Sequence, residues 1–446
     1  MTSKAVSDDA KASACGALAA LAADRRPNKD RIAGTDGALL ALVRCAARGG
    51  DKTRANAALA LGNLVDDHIA NKSLVSQLPG FFPALASLLR TGTDKTRWHA
   101  ARLAASMAML PHLKESIGGT EDTVQELVRL ARQGDDEAAS SAACALANVS
   151  DSHPKNWERV AAARRSFSTL VDLAGAGSSD TRSHAVRAIA NLSVSALNKS
   201  RIVRTPRALA VLVGVLESDR GSGRSNAAAA LGNLAHDHDE NKTLITQERL
   251  LSIPDLQIGI DILPITDNPT LTLPQPFPLF SFRRGALPAL VASLTEGTDD
   301  SRRNAAAALA NLSDGHTPNM RAIAHTRGAI ESLTQCVWEG RDDVCNNACC
   351  CLATLCVGIR ENQTLVAMTE GTLLALVDAA RRGGDDTVTN ACGALANVCE
   401  NHAENKKLLG TTGDAIPVLV KVACNARTEV RFFEIILTPP PRLIRR

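Results

Sequence analysis

Tyrosine is absent from the 446 residues, and aromatic residues make up only 2% of them. So few rings rule out a base-stacking platform for single-stranded nucleic acid. They also argue against sheets built from aromatic and β-branched side chains. No excess of one charge exists either: 50 Lys and Arg stand against 47 Asp and Glu, leaving +3. This balance points to neither nucleic acid nor direct insertion into an anionic membrane. No uncharged run reaches the ~18 residues of a membrane span. GxSxG, GxxxxGK[ST] and HExxH do not occur, so neither enzyme activity nor a cofactor is expected. Twelve cysteines over this length do not form the dense framework of a small secreted scaffold. Buried thiols in an intracellular, cytoplasmic and/or nuclear setting are the expectation. The stretch ACGALAALAA at 14–23 looks like a signal-peptide core, but ACGAL returns at 391–395, where no signal can sit.

What is abundant is alanine, and it recurs in a phrase. Residues 56–75 read NAALALGNLVDDHIANKSLV, 226–245 read NAAAALGNLAHDHDENKTLI and 304–323 read NAAAALANLSDGHTPNMRAI. The last Asn of NAAxALxN serves as a marker. It stands at Asn63, Asn148, Asn191, Asn233, Asn311 and Asn397, with Ala20, Ser106 and Thr354 in its place elsewhere. Successive markers are 42 or 43 residues apart, except for one gap of 78. A period of this length overrides any division of the chain by length alone.

Each copy holds a polar stretch such as DENKTLITQ, a Gly-led apolar segment such as GALPALVASL, and the Ala-rich segment with the marker. Ala57, Ala60, Leu61 and Leu64 stand at i, i+3, i+4 and i+7, one apolar helical stripe. Gly92, Gly134, Gly297, Gly340 and Gly383 mark helix ends, and Asp94, Asp135, Asp299, Asp342 and Asp385 follow as expected N-caps. Three helices in each unit of ~42 residues, none able to bury its own apolar face, predict an all-α solenoid.

The order ENK, GALPALV, NAAxALxNL resembles the armadillo repeat, and its wording is similar to plant U-box-associated and yeast vacuolar armadillo arrays. The resemblance implies a right-handed superhelix of about nine three-helix repeats. It covers 1–248 and 285–426. A Pro/Phe-rich insertion at 249–284 is expected to be a disordered loop, and 427–446 is an irregular tail. The insertion holds six of the eighteen prolines and Phe277, Phe280 and Phe282, so it reads either as a docking motif or as translated intron sequence. Phe432, Phe433 and Ile435 of the tail are candidates to cover the open end of the stack.

The resemblance also implies that third helices line a concave face along which a partner segment lies. The row on that face is Asn63, Asn148, Asn191, Asn233, Asn311 and Asn397, with Asn56, Asn226, Asn304 and Asn390 seven residues before a marker. A carboxamide offers two donors and an acceptor, enough to hold an extended backbone without reading its sequence. It also has the alternative use of tying its own helix to a neighbour. Specificity is expected from the position four residues before the marker: Gly16, Leu59, Arg102, Cys144, Arg187, Ala229, Ala307, Cys350 and Gly393. In import adaptors this position is typically Trp, and none is Trp here, which weighs against that alternative. Arg102 and Arg187, with Arg54, Arg97, Arg182, Arg224 and Arg302 near third-helix starts, suggest a basic stripe suited to acidic segments.

Histidines five residues after the marker, at His68, His153, His238, His316 and His402, cannot converge on one metal, because neighbouring repeats lie ~10 Å apart. The crowd of Cys336, Cys345, Cys349, Cys350, Cys351 and Cys356 lacks CxxC pairs and reads as small buried thiols in place of alanine. The functional expectation is a non-catalytic scaffold for a protein or peptide. A nuclear import adaptor and the substrate-recognition part of a ubiquitin ligase are the alternatives.

Overall fold

The computed structural model describes residues 6–247 and 285–424, so the insertion at 249–284 and the tail at 427–446 lie outside the described residues. Among the described residues there are 27 α-helices, numbered α1–α27 in chain order, and no strand. They fall into eight complete first–second–third triplets, preceded by a lone third helix and followed by a first–second pair. The described residues divide between two compact units, 6–211 and 212–247 with 285–424. Each unit is an α-solenoid of stacked three-helix repeats.

The third helices are α1 (Asp8–Ala22), α4 (Asp51–Val65), α7 (Asp94–Met107), α10 (Asp136–Ser150) and α13 (Ser179–Leu192) in the first unit. In the second they are α16 (Ser222–Ala235), α19 (Asp299–Ser313), α22 (Asp342–Leu355) and α25 (Asp385–Cys399). Within each unit, every third helix packs on the one before it. Small side chains make this possible. In α10, Ala142, Ala143, Ala145, Leu146 and Val149 are fully buried, so methyl groups rather than rings fill the seam. Gly232 of α16 permits a close approach to α19, because a Cβ there would lie 3.1 Å from the Cα of Ala308.

The expected helix ends at Gly92, Gly134, Gly297, Gly340 and Gly383 are all C-caps. Of the expected N-caps only Asp135 caps, accepting from the Ala138 N–H at 2.9 Å. Asp94, Asp299, Asp342 and Asp385 lie one residue inside, behind Thr93, Thr298, Arg341 and Gly384. As first-turn carboxylates they still complement the positive end of the helix.

The polar DENK stretch turns out to be the joint between repeats. His68, His153, His238, His316 and His402 are the N-caps of first helices, each accepting the backbone N–H three residues on through Nδ1. The Asn that donates this N–H is itself buried. Asn71, Asn156, Asn241, Asn319 and Asn405 each donate Nδ2 to a carbonyl seven residues back, in the last turn of the preceding third helix. Four of them, Asn71, Asn156, Asn319 and Asn405, also reach the first helix of the previous repeat. Several first helices also carry a buried lysine. Lys29, Lys114 and Lys242 donate to the carbonyls of Asp66, Asp151 and Asp314, the C-caps of the following third helices, where a cation suits the dipole.

A left-handed residue opens most second helices. It is glycine at Gly80, Gly328 and Gly371 but Arg at 165, with φ 64°. A side chain bearing Cβ costs ~1–2 kcal/mol in this region. Arg165 is exposed, so Arg165→Gly is expected to raise stability by about 1 kcal/mol in a urea melt.

Candidate partner-binding face

The sequence-predicted residues come together within each unit. Asn56 and Asn63 sit on α4, Arg102 on α7, Asn148 on α10, and Arg187 and Asn191 on α13. In the second unit Asn226 and Asn233 sit on α16, Asn304 and Asn311 on α19, and Asn390 and Asn397 on α25. All twelve side chains are half-buried, at three registers of the third helices: the marker, four residues before it and seven before it.

The carboxamides are not idle. Asn63, Asn148, Asn191, Asn311 and Asn397 each donate Nδ2 to a third-helix carbonyl of the preceding repeat: Ala19, Ala105, Ala147, Gly232 and Ala353, at 2.8–3.2 Å. The second row behaves alike. Asn56 donates to the Ala12 carbonyl at 2.8 Å, Asn304 to Ser225 and Asn390 to Oδ1 of Asn346. A donor of each of these carboxamides thus stitches the stack; Asn148 also reaches Cys144 Sγ at 3.8 Å and Asn304 also donates to Ser225 Oγ at 2.9 Å.

The acceptors divide the two units. Arg102 donates Nη2 to the Asn63 oxygen, and Arg187 donates Nη2 to the Asn148 oxygen at 2.7 Å. In the second unit the corresponding positions are Ala229, Ala307, Cys350 and Gly393, too short to do this. At Gly393 an added Cβ would meet nothing within 4 Å, so the face is open there.

The basic stripe expected from third-helix starts needs correction. Arg54 turns into the next repeat, donating Nη2 to the Ser87 carbonyl and Thr91 Oγ1 near the end of α6 (Phe81–Thr91). Arg224 is buried and donates Nε to the Asp219 carbonyl. An arginine that looks misplaced at the start of its own helix therefore serves the negative end of another. Sequence reading also missed α22: Asn347, seven residues before Thr354, donates to the Arg303 carbonyl at 3.2 Å. Its spacing was the available signal, hidden because Thr354 replaces the marker and is buried against Ser313.

Two imidazoles replace Asn in this row. His99 is 3% exposed with neither ring nitrogen hydrogen-bonded, and it stacks on Trp98 at 4.6 Å. Burial, with Arg102 and Lys95 nearby, pulls it down to about 4. Burial and Arg187 also lower His184. The thiols Cys336, Cys345, Cys349, Cys350, Cys351 and Cys356 are buried in place of small residues, and burial pushes Cys336 and Cys350 up to about 11.

No family model and no curated protein matches the chain. Among solved structures, an engineered protein determined in crystals by the Northeast Structural Genomics Consortium is similar at 23% identity and a TM-score of 0.77. That match covers 97% of this chain and 94% of the other. A designed armadillo repeat protein matches at 21% identity and a TM-score of 0.49, over 62% of this chain and 99% of that one. The likeness to the engineered protein concerns the fold. The fold is an α-solenoid. Among the described residues no helix is long and apolar enough to cross a membrane.

Proposed function

We propose that the chain is a non-catalytic, armadillo-like scaffold that holds an extended or helical segment of a partner protein along its third helices, inside the cell. The observation that supports this best is the repeated carboxamide that ties the stack from an accessible position. A purely structural tie would be satisfied equally by a buried side chain, whereas these stay half-exposed at every repeat that carries them. In the second unit small neighbours at 307 and 393 leave room for a backbone to approach. The absence of Trp at the position four before the marker speaks against an import adaptor. The likeness to plant U-box-associated and yeast vacuolar arrays rests on repeat wording alone. A partner with acidic segments suits the first unit, where both arginines lie.

The test must separate binding from stacking, because an alanine at these positions would remove both. The chain supplies its own substitute: Ser106 occupies the marker site in α7, and its Oγ lies 3.5 Å from the Val65 carbonyl. A triple Asn311→Ser, Asn390→Ser, Asn397→Ser variant is expected to keep its circular dichroism while losing at least about tenfold in affinity for captured partners, one tenfold step being ~1.4 kcal/mol. Equal capture by both proteins would refute the reading.

A further inference from the structure

Arg102 and Arg187 are half-buried, sit at the centre of the third-helix row, and have no carboxylate partner among the described residues; their partners there are the oxygens of Asn63 and Asn148 and the sulfur of Cys144. Elsewhere the chain treats such a charge differently. Arg303 on the same face of α19 is paired with Asp300 at 3.3 Å and Asp343 at 3.5 Å. A guanidinium withdrawn from water without an anion costs stability, so an uncompensated pair at one register points to a ligand that brings the anion. The surroundings agree. Each arginine follows an imidazole by three residues, His99 before Arg102 and His184 before Arg187, at the two positions of this row where Asn is replaced by His. With its oxygen held by an arginine, each of Asn63 and Asn148 turns its N–H donors rather than its acceptor to this point, beside the guanidinium.

We propose that Arg102 and Arg187 form two carboxylate slots that recognise an extended partner segment bearing acidic side chains about six residues apart. The spacing follows from the stack. α7 and α13 are separated by α10 alone, so at ~8–10 Å per layer the slots lie ~16–20 Å apart. An extended chain rises ~3.3 Å per residue, which gives about five or six residues. Side chains alternate faces along a strand, so the even spacing puts both acids on the protein-facing side. Between them Asn148 meets the backbone. Protein is favoured over nucleic acid because the slots are two single arginines on a chain of net +3 with 2% aromatic residues, not a basic tract beside stacking rings.

The inference rests on the scaffold reading, and selection from a displayed library of random peptides against the full chain separates the two. The slots predict enrichment of peptides with Asp or Glu six apart. Either Arg102→Gln or Arg187→Gln, which keeps a donor for the Asn oxygen, should weaken these peptides by ~10–100-fold at a melting temperature no lower than the parent's. Peptides without an acidic pair, or acidic peptides held equally by both variants, would overturn the slots. If such peptides were still lost on Asn148→Ser with Asn191→Ser, the scaffold reading would stand. An absence of any enrichment would overturn both. A single-stranded RNA pool retained more tightly than every selected peptide would also overturn the proposal.

Discussion

Asn156→Ala is expected to destabilise the first unit by about 2–4 kcal/mol, the largest single loss among the polar positions. Asn156 is completely buried. Its Nδ2 donates to the Val149 carbonyl at 2.9 Å and the Lys114 carbonyl at 2.8 Å, and its Oδ1 accepts from Arg159 at 2.8 Å. Val149 lies in the last turn of α10, whose carbonyls have no intrahelical partner. Alanine would bury that carbonyl dry and free the loop that carries His153 to its capping position. Hydrogen exchange over α8 (Pro111–Gly119) to α11 (Pro154–Ala162) should locate the loss at this joint. The matched contrast is Asn148→Ser on the open face, for which less than about 1 kcal/mol is expected, since a half-buried group is partly satisfied by water. Equal losses at 156 and 148 would show that the buried and exposed carboxamide rows do not differ in kind.

His99→Asn is expected to stabilise the chain most at acidic pH. In the fold His99 stays neutral down to about 4, whereas in the unfolded chain it titrates near 6.5. The unfolded state therefore binds the extra proton between these values. The stability contributed by the neutral imidazole is fully present above 6.5 and is lost as pH falls toward 4. At ~1.4 kcal/mol per pH unit, the loss across that window is about 3 kcal/mol. Asparagine cannot take the proton. At the equivalent position Asn56 donates to a carbonyl 44 residues earlier, and the same offset from 99 gives the Ala55 carbonyl. Melting temperatures of the two proteins should therefore diverge as pH is lowered from 7 to 4.5, with the variant higher throughout. Parallel pH profiles would refute the assignment of the loss to His99.

Much of this was legible in the sequence, and what was not follows a pattern. The period, the helix stripe of Ala57, Ala60, Leu61 and Leu64, and the shared register of Asn56 and Asn63 all come from spacing, which a helix converts directly into geometry. The partner of a side chain does not. An Asn on a helix face has the same spacing whether it donates to a ligand or to the previous repeat, so the stitching from Asn63 to Ala19 needed coordinates. The buried role of Asn156 and Lys114 was hidden for another reason. Both stand in polar stretches, HPKNWE and PHLKES, whose residues are rarely buried unless satisfied, and satisfying carbonyls belong to another repeat. Arg54 misled in the same way, since the helix end it serves lies 33 residues ahead.

The claim on which the function depends is that partners lie along third helices. A photocrosslinking amino acid placed at Gly393, where the space is open, and one placed at Ile416, 58% exposed on the second helix α27 (Ala415–Cys424), test it within one unit. The account predicts partner adducts from position 393 and none from 416. Adducts from 416 with none from 393 would contradict it.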